Sequence, residues 1–543
     1  MKFDFSKIYL TGDVNYFLDD RPLRSILEFI KFRSQGKLPE IGRFVASEIM
    51  EDSLFIDHYG KPVLETWSVL DERVDRVWIS RTQTHMIESL LEMDVVNSVI
   101  GGDLLYHFIS GYLISDSGLF CTLTLTAQTA YALRKYGGKW ASAFLDKYVG
   151  PHGWLGATFY TEIQGGSDLG SNRTLAIRTG ENYTLNGENK YFASNAGLAD
   201  GAIVTARTEG SRPGAKGIAA FFVPALRSDG SLNFEIRRIK DKLGTILVPT
   251  GEVVLKNSEG YMLGSEENGI YISLEILEIS RIDDAIAAVG IARKALWEAY
   301  RYARRRMAFG KPICDHPLLK RDLMEMESEV VASLVISLLA ANAFSLSAKV
   351  MPPYNNDYHF ARALTHIAKN IASWSSDYVT RYAMEVFGGR GFLHEFPVEK
   401  FHRDSIVTSL WEGTSNIQAL DFIELITKKN AAQLIFSDLE NVISRLKGND
   451  SEIASSAYRK LKEKFEKYFG TGNTEYFAKD LLDSFGHTLA LTYMLLVSEV
   501  TGDNGIHDSA IIFYHRRFTN GFPPDFDFER YSSCLEWMDK PSR

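Results

Sequence analysis

The chain has 543 residues, too many for one hydrophobic core, so several domains are expected. Its 45% apolar and 24% charged residues exclude a disordered or fibrous protein. A net charge of -9 argues against a general polyanion binder, whose affinity needs concentrated Lys and Arg. Cys121, Cys314 and Cys534 lie far apart with no CxxC pair, which fits a reducing, cytoplasmic setting and offers neither a disulfide framework nor a metal site.

The first twenty residues carry acids early and lack a continuous apolar run, so no signal peptide is expected there. From about 40 to 148 apolar residues recur at three- and four-residue spacing, which predicts helices. At Gly150-Pro151 the pattern changes to alternating segments such as "GENYTLNGENKYFASN", "GAIVTART" and "GEVVLKN", bounded by Gly, Asn and Pro, which predicts strands to about 262. Helices return over "ENGIYISLEILEISRIDDAIAAVGIARKALWEAYRYARRRMA", then 316–349, 357–387 and a shorter one beginning near Thr414. Four helices in sequence suggest an antiparallel bundle. Val330 to Ala348 is uncharged over 19 residues, close to a membrane span, yet its four serines and an asparagine read as a helix buried in a bundle. The expected fold is therefore α+β and multidomain. Residues 1–150 form an N-terminal extension and helical domain, 151–262 a β-barrel or sandwich-like domain, 263–429 a four-helix bundle, and 430–543 an additional α-helical domain. That order leaves a seam between sheet and bundle where a flat cofactor could be held.

Four motifs carry candidate chemistry. "YTEIQGGSDLGSN", from Tyr160, places Thr161, Gly166 and Ser167 on a tight loop whose backbone N–H groups suit a polar heterocycle edge or a phosphate, although the same residues make an ordinary turn. "YARRRMAFGKPI" ends a long helix with three arginines at successive 100° steps, so at most one or two, with Arg306 foremost, can meet a common anion. Its plainer reading is compensation of the helix dipole. "EVFGGRGFLHEFPVEKFHRD" ends another helix at Gly388-Gly389 and serves equally as a connecting loop. "LWEGTSNI" places Glu412 between Trp411 and Gly413, just before a helix start at Thr414.

Together these motifs resemble, in order and spacing, the acyl-CoA dehydrogenase family. The matches are Thr-Glu-x3-Gly-Ser-Asp at 161–168, Tyr-Ala-x2-Arg-x2-Phe-Gly-x-Pro-Ile at 302–313, Gly-Gly-x-Gly-Phe at 388–392 and Arg-Asp-x7-Glu-Gly-Thr-x2-Ile-Gln at 403–418, and the resemblance covers about 40 to 429. Within the family the chain is most similar to the AidB branch of the alkylation response. "TEIQGGSD", Trp411 in place of tyrosine, Pro317 and Glu385 in place of glutamines, and the added region after 430 all point that way.

The resemblance implies FAD as cofactor, lined by Tyr160, Thr161, Gly166, Ser167, Phe192, Ala193, Ser194, Trp411, Gly413, Thr414 and Asn416. It implies that Arg306, Phe309, Gly388 and Gly389 meet the FAD of a neighbouring subunit, hence a homo-oligomer, either a dimer or a dimer of dimers (a homotetramer). Glu412 would be the catalytic base for an acyl-CoA α-proton, its pKa raised beside Trp411, with Arg281 near it, and hydride would pass to the flavin. An electron-transfer flavoprotein is the implied acceptor. Two departures are expected to matter: Ala193 stands at the family's flavin-facing threonine, with Ser194 beside it, and Asn189 at its lysine. The alternative is an AidB-like, DNA-associated flavoprotein with weak or no dehydrogenase activity. Residues 431–543, however, hold 13 Lys/Arg against 17 Asp/Glu, and Arg516-Arg517 is their only undiluted basic pair, which weakens a DNA role.

Overall fold

The computed structural model describes residues 9–34 and 36–539. By packing, they form two compact units. One contains Asp52–His107 and Asp116–Ser280, and the other contains the chain before 52, Phe108–Ser115 and the chain from Arg281 onward.

The first unit is built on a seven-stranded sheet of β3 (Gly156–Phe159), β4 (Leu175–Thr179), β5 (Asn182–Ser194), β6 (Gly201–Thr208), β7 (Ile218–Pro224), β8 (Glu235–Ile239) and β9 (Thr250–Met262). β4 pairs with β5, β5 with β9, β9 with β7, β7 with β6, and β6 in parallel with β4, so five strands close on themselves as a small barrel. β3 lies between β5 and β6, and β8 extends β9. Alternate residues point inward, and the core holds Phe159, Leu185, Ala193, Val204, Phe221, Val223 and Val253. The Ser117–Tyr136 helix, capped by Asp116 on the Leu119 N–H, packs against β3 at Gly156, where a Cβ would lie 2.3 Å from the Thr129 hydroxyl. The N-terminal region is not wholly helical. β1 (Val63–Trp67) and β2 (Arg73–Trp78) form an antiparallel hairpin. Its alternating charges conceal the strands, and Asp75 holds it by accepting from Arg73 Nε at 2.8 Å and from the Ile236 N–H at 2.7 Å.

The second unit is helical. Its long members, Gly269–Arg305 (whose first residues lie in the other unit), Pro317–Ser347, Asn356–Phe387 and Ser415–Lys428, match the expected bundle helices. Pro317 and Pro397 sit in first turns, where a missing N–H costs nothing, and Asn355 caps its helix through the Tyr358 N–H. Pro317–Ser347 and Thr474–Thr501 are long and apolar enough to cross a membrane, but 72% and 78% of their most apolar stretches are buried inside the protein. Chain-distant segments share this core. Glu298 accepts the N–H groups of Leu10 and Thr11 at 2.9 and 2.8 Å, and buried Arg293 joins Asp20 (3.3 Å), Tyr112 and Glu327. At the other end of the chain, Trp297 Nε1 donates to the Met538 carbonyl at 3.2 Å and Tyr300 to Asp539 at 2.9 Å.

The basic pair Arg516-Arg517 is not a free cationic patch. Both guanidinium groups lie 2.8 Å from the fully buried Glu329 carboxylate, and Arg516 also meets Glu325. Sequence proximity to charged helix faces hides this, because the acids that engage the pair are more than 180 residues away.

Candidate active site

In the sheet unit, β3 runs into the loop that holds Tyr160, Thr161, Gly166 and Ser167. Tyr160 is buried, Thr161 and Gly166 are half-buried, and Ser167 is exposed. The loop is anchored by Glu162, whose carboxylate accepts from Lys190 Nζ (2.9 Å), Thr174 Oγ1 (2.6 Å), Gln164 Nε2 (2.7 Å) and the Arg173 and Thr174 N–H groups. Burial alone would raise its pKa. The Lys190 ammonium and these donors prevail and hold it down at about 2, while burial lowers Lys190 to about 8. The direction that stands is an ionised Glu162, because five donors surround it. Lys190, next in sequence to Asn189, thus supplies a buried ammonium to this loop. Gly166 is required by close approach, since a Cβ there would lie 2.8 Å from Thr161 Oγ1.

On β5, alternation corrects a second expectation. Ala193 points into the barrel core, fully buried, whereas Phe192 (55% exposed) and half-buried Ser194 share the outer face. The hydroxyl expected to be lost at Ala193 is therefore presented by Ser194. Beyond it the chain turns at Asn195 (φ +61°), whose buried amide donates to the Gly156 and Thr122 carbonyls. An exposed ring flanked by small hydroxyls and bare glycine backbone fits a flat heteroaromatic group with a polar edge.

In the helical unit, Glu412 (φ +56°) and Gly413 (φ +97°) occupy left-handed backbone. A non-glycine residue there costs about 1–3 kcal/mol and persists only where its surroundings impose it. They do so through the carbonyls. Arg281 Nε donates to the Glu412 carbonyl at 3.0 Å and its guanidinium meets Asp421 at 3.3 Å. Gln418 Nε2 donates to the Glu412 and Gly413 carbonyls at 2.9 and 3.0 Å. Lys369 Nζ donates to the Thr408 and Gly413 carbonyls at 2.9 and 3.0 Å. Gln418 is itself oriented by His366 Nδ1 at 2.7 Å; burial first, then Arg281 and Arg362, push that imidazole down to about 3 and keep it neutral. The Trp411 indole N–H donates to Asp284, which also lies 3.2 Å from Lys369. Glu412 and Trp411 are half-buried. Thr414 forms the N-cap of the Ser415–Lys428 helix and, like Asn416, is exposed.

The remaining candidates are exposed. Arg306 follows the end of the Gly269–Arg305 helix and begins a tight hairpin of β10 (Met307–Ala308) and β11 (Lys311–Pro312). Phe309 (φ +50°) and Gly310 (φ +86°) form its tip with both turn residues left-handed, and Phe309 is 96% exposed. Arg304 is engaged by Asp539 and Asp315, whereas Arg305 and Arg306 make no ion pair among the described residues. Gly388 and Gly389 are exposed, with open space where a Cβ would stand. Arg403 and Asp404 pair with Glu399 and Lys400, a local helical brace. Sequence reasoning did not find Lys190, Asp284, Lys369 and His366. Lys190 and Asp284 sit beside other polar or charged residues, and His366 and Lys369 among apolar ones interrupted by Thr365 and Asn370, so no local signal singles all four out.

Family models for the acyl-CoA dehydrogenase middle domain and C-terminal domain match residues 157–258 and 267–426. The short-chain specific acyl-CoA dehydrogenase of Megasphaera elsdenii is 32% identical over 330 residues, 59% of this chain and 81% of that protein. The AidB protein of Escherichia coli (strain K12) is 29% identical over 366 residues, 65% of this chain and 64% of that protein, so AidB is one relative among several. The structure of Caenorhabditis elegans ACDH-11 in complex with C11-CoA is similar over 96% of this chain and 94% of that one, with a TM-score of 0.81 at 23% identity, which speaks to the fold alone. The barrel, the bundle and the matched domains make this chain a member of the acyl-CoA dehydrogenase family, flavin-dependent oxidoreductases of carbon–carbon bonds whose cofactor is FAD.

Proposed function

We propose that the protein oxidises the Cα–Cβ bond of an acyl-CoA thioester to the trans-2-enoyl thioester, with Glu412 as the base that removes the α-proton. The observation that carries this reading is the clamped, left-handed Glu412, gripped through its own and its neighbours' carbonyls by Arg281, Lys369 and Gln418. Strain maintained by three buried side chains marks a carboxylate whose placement matters more than its contribution to stability. A thioester α-proton is weakly acidic, so the base must be held within reach of it.

When bound, FAD would supply the acceptor for the hydride lost from the β-carbon. On the sheet unit Thr161, Gly166, Ser167, Phe192 and Ser194 would hold its ring. Arg306, Phe309 and the bare backbone of Gly388 and Gly389 would serve a neighbouring copy in a homo-oligomer. Guanidinium geometry suits a diphosphate, and the exposed Phe309 has little reason to occupy strained backbone in an isolated subunit. An electron-transfer flavoprotein in the cytoplasm is the proposed acceptor. Glu329 engages Arg516 and Arg517, which removes the cationic pair on which a DNA role in the C-terminal region would most depend.

Anaerobic mixing with acyl-CoAs of graded chain length should bleach the flavin absorbance, and Glu412→Gln should abolish the bleaching while retaining flavin. Failure to bleach with every chain length would end the dehydrogenase reading.

A further inference from the structure

The Glu412 clamp rests on a second, deeper pair of charges. Asp284 lies one helical turn beyond Arg281 on the same helix, with its side chain 2% exposed, and Lys369 projects from the Asn356–Phe387 helix with its side chain 1% exposed. One Asp284 oxygen accepts from the Trp411 indole and the other lies 3.2 Å from Lys369 Nζ. Lys369 then spends two hydrogen bonds on the carbonyls of Thr408 and Gly413, which bracket the corner. One buried carboxylate thus fixes the residue before Glu412 directly and the residue after it through Lys369.

We propose that Asp284 is a positioning residue for Glu412: through Trp411 and Lys369 it sets the orientation of the base, and by its own charge it tunes how readily that base takes a proton. This rests on the reading of Glu412 as the base. An acid is costly at this depth and a neutral hydrogen-bond acceptor would suffice for the indole, so the charge itself needs an explanation. Lys369 from the Asn356–Phe387 helix and Trp411 and Glu412 from the corner act on Asp284 directly, Arg281 from its own helix acts on Lys369, and His366, Gln418 and Asp421 form the next layer, joined to Arg281 and to one another. Burial raises Asp284 to about 7, Lys369 and Trp411 oppose that, and the Glu412 charge adds to it. Burial lowers Lys369, against the pull of Asp284 and Glu412. Coupling is reciprocal, so an ionised Asp284 raises the proton affinity of Glu412, and a proton arriving on Glu412 makes Asp284 easier to ionise.

The test reads Trp411 directly. In protein labelled with ¹⁵N-tryptophan, the Trp411 indole resonance is assigned by its loss in Trp411→Phe and followed against pH. It should titrate near neutrality in the wild-type holoenzyme, stop titrating in Asp284→Asn, and titrate at lower pH in Glu412→Gln, where one negative neighbour is gone. A resonance that does not titrate, or an inflection that Glu412→Gln leaves in place, overturns the proposal whatever acyl-CoA does. In the kinetic arm, Asp284→Leu should slow flavin reduction about a hundredfold, as expected for a misplaced base, with unchanged substrate dependence. Asp284→Asn, which keeps an acceptor for the indole, should recover most of that loss while the acid limb of the rate profile moves to lower pH. Equal rates and superimposable pH profiles for wild type and both variants would also overturn it. Absence of bleaching in the wild type itself refutes the dehydrogenase reading, and the indole titration still decides the coupling.

Discussion

Lys190→Met isolates the anchor beneath the Tyr160–Ser167 loop, which is proposed to meet the flavin. Lys190 is 1% exposed and Glu162 5%, with the charges 2.9 Å apart, and Lys190 also donates to the Thr205 carbonyl at 2.7 Å. Removing the ammonium leaves a buried carboxylate with only backbone, hydroxyl and amide donors, at a cost of about 3–5 kcal/mol. For a unit of this size each kcal/mol moves the midpoint by about 2–4 °C, so the sheet unit should melt about 6–20 °C lower. Calorimetry of the holo protein gives the midpoint, and hydrogen exchange at 161–174 shows whether the loop opens first. Flavin retention on gel filtration should fall in parallel. The double variant Glu162→Met/Lys190→Met removes both charges and should recover part of the loss, because an apolar pair carries no desolvation penalty. A Lys190→Met protein that melts with the wild type would refute the assignment of Glu162 as a charge held by Lys190.

Three further outcomes follow. Arg516→Ala/Arg517→Ala should lower the denaturation midpoint by an amount worth about 3–5 kcal/mol, since it strands the buried Glu329 charge; an unchanged midpoint would show that the pair is not structural. The hydrogen bond that His507 donates to Asp450 (3.1 Å) and the Asp508 carboxylate 3.9 Å away raise His507 to about 9 against the effect of burial, so its stabilisation is complete below about pH 6.5 and lost as pH rises through about 9. The midpoint should therefore fall more steeply over that interval in the wild type than in His507→Gln, and identical profiles would refute the assignment. Phe309→Gly relieves a left-handed phenylalanine worth about 1 kcal/mol and should leave the isolated subunit at least as stable, yet reduce both flavin occupancy and oligomer size by light scattering. Full flavin occupancy in that variant would separate Phe309 from the cofactor.

The long helices and the strands from 156 to 262 were legible because each carries its own period, 3.6 or 2, within a few consecutive turns. Glu412 was legible because its corner, Trp-Glu-Gly before a helix start, is local. The β1–β2 hairpin was not, because Glu65, Arg73, Asp75 and Arg76 break the apolar alternation that marks a strand. The buried partnerships were not legible either. Glu162 meets Lys190 across 28 residues, and Asp284 meets Lys369 from another helix, so neither pairing exists until the fold brings the segments together. The same limit hid the acids Glu325 and Glu329 that engage the undiluted basic pair Arg516-Arg517. At 192–194 the strand was foreseen but its facing was not, and facing alone decides whether Ala193 or Ser194 meets the outside.

The helical unit is assembled from widely separated stretches of chain, and this orders events during synthesis. Glu298 waits for nothing, since Leu10 and Thr11 have already been made, but Trp297 and Tyr300 on the same helix acquire their partners only when Met538 and Asp539 emerge. The sheet unit is complete by residue 280 and can fold on the ribosome, whereas the bundle carries exposed, half-finished surface for about 260 residues more. Residues 430–539 are therefore no removable appendage. Cutting the chain at 430 to obtain a minimal enzyme would expose the apolar flank of Pro317–Ser347 and yield aggregate in place of a trimmed catalyst.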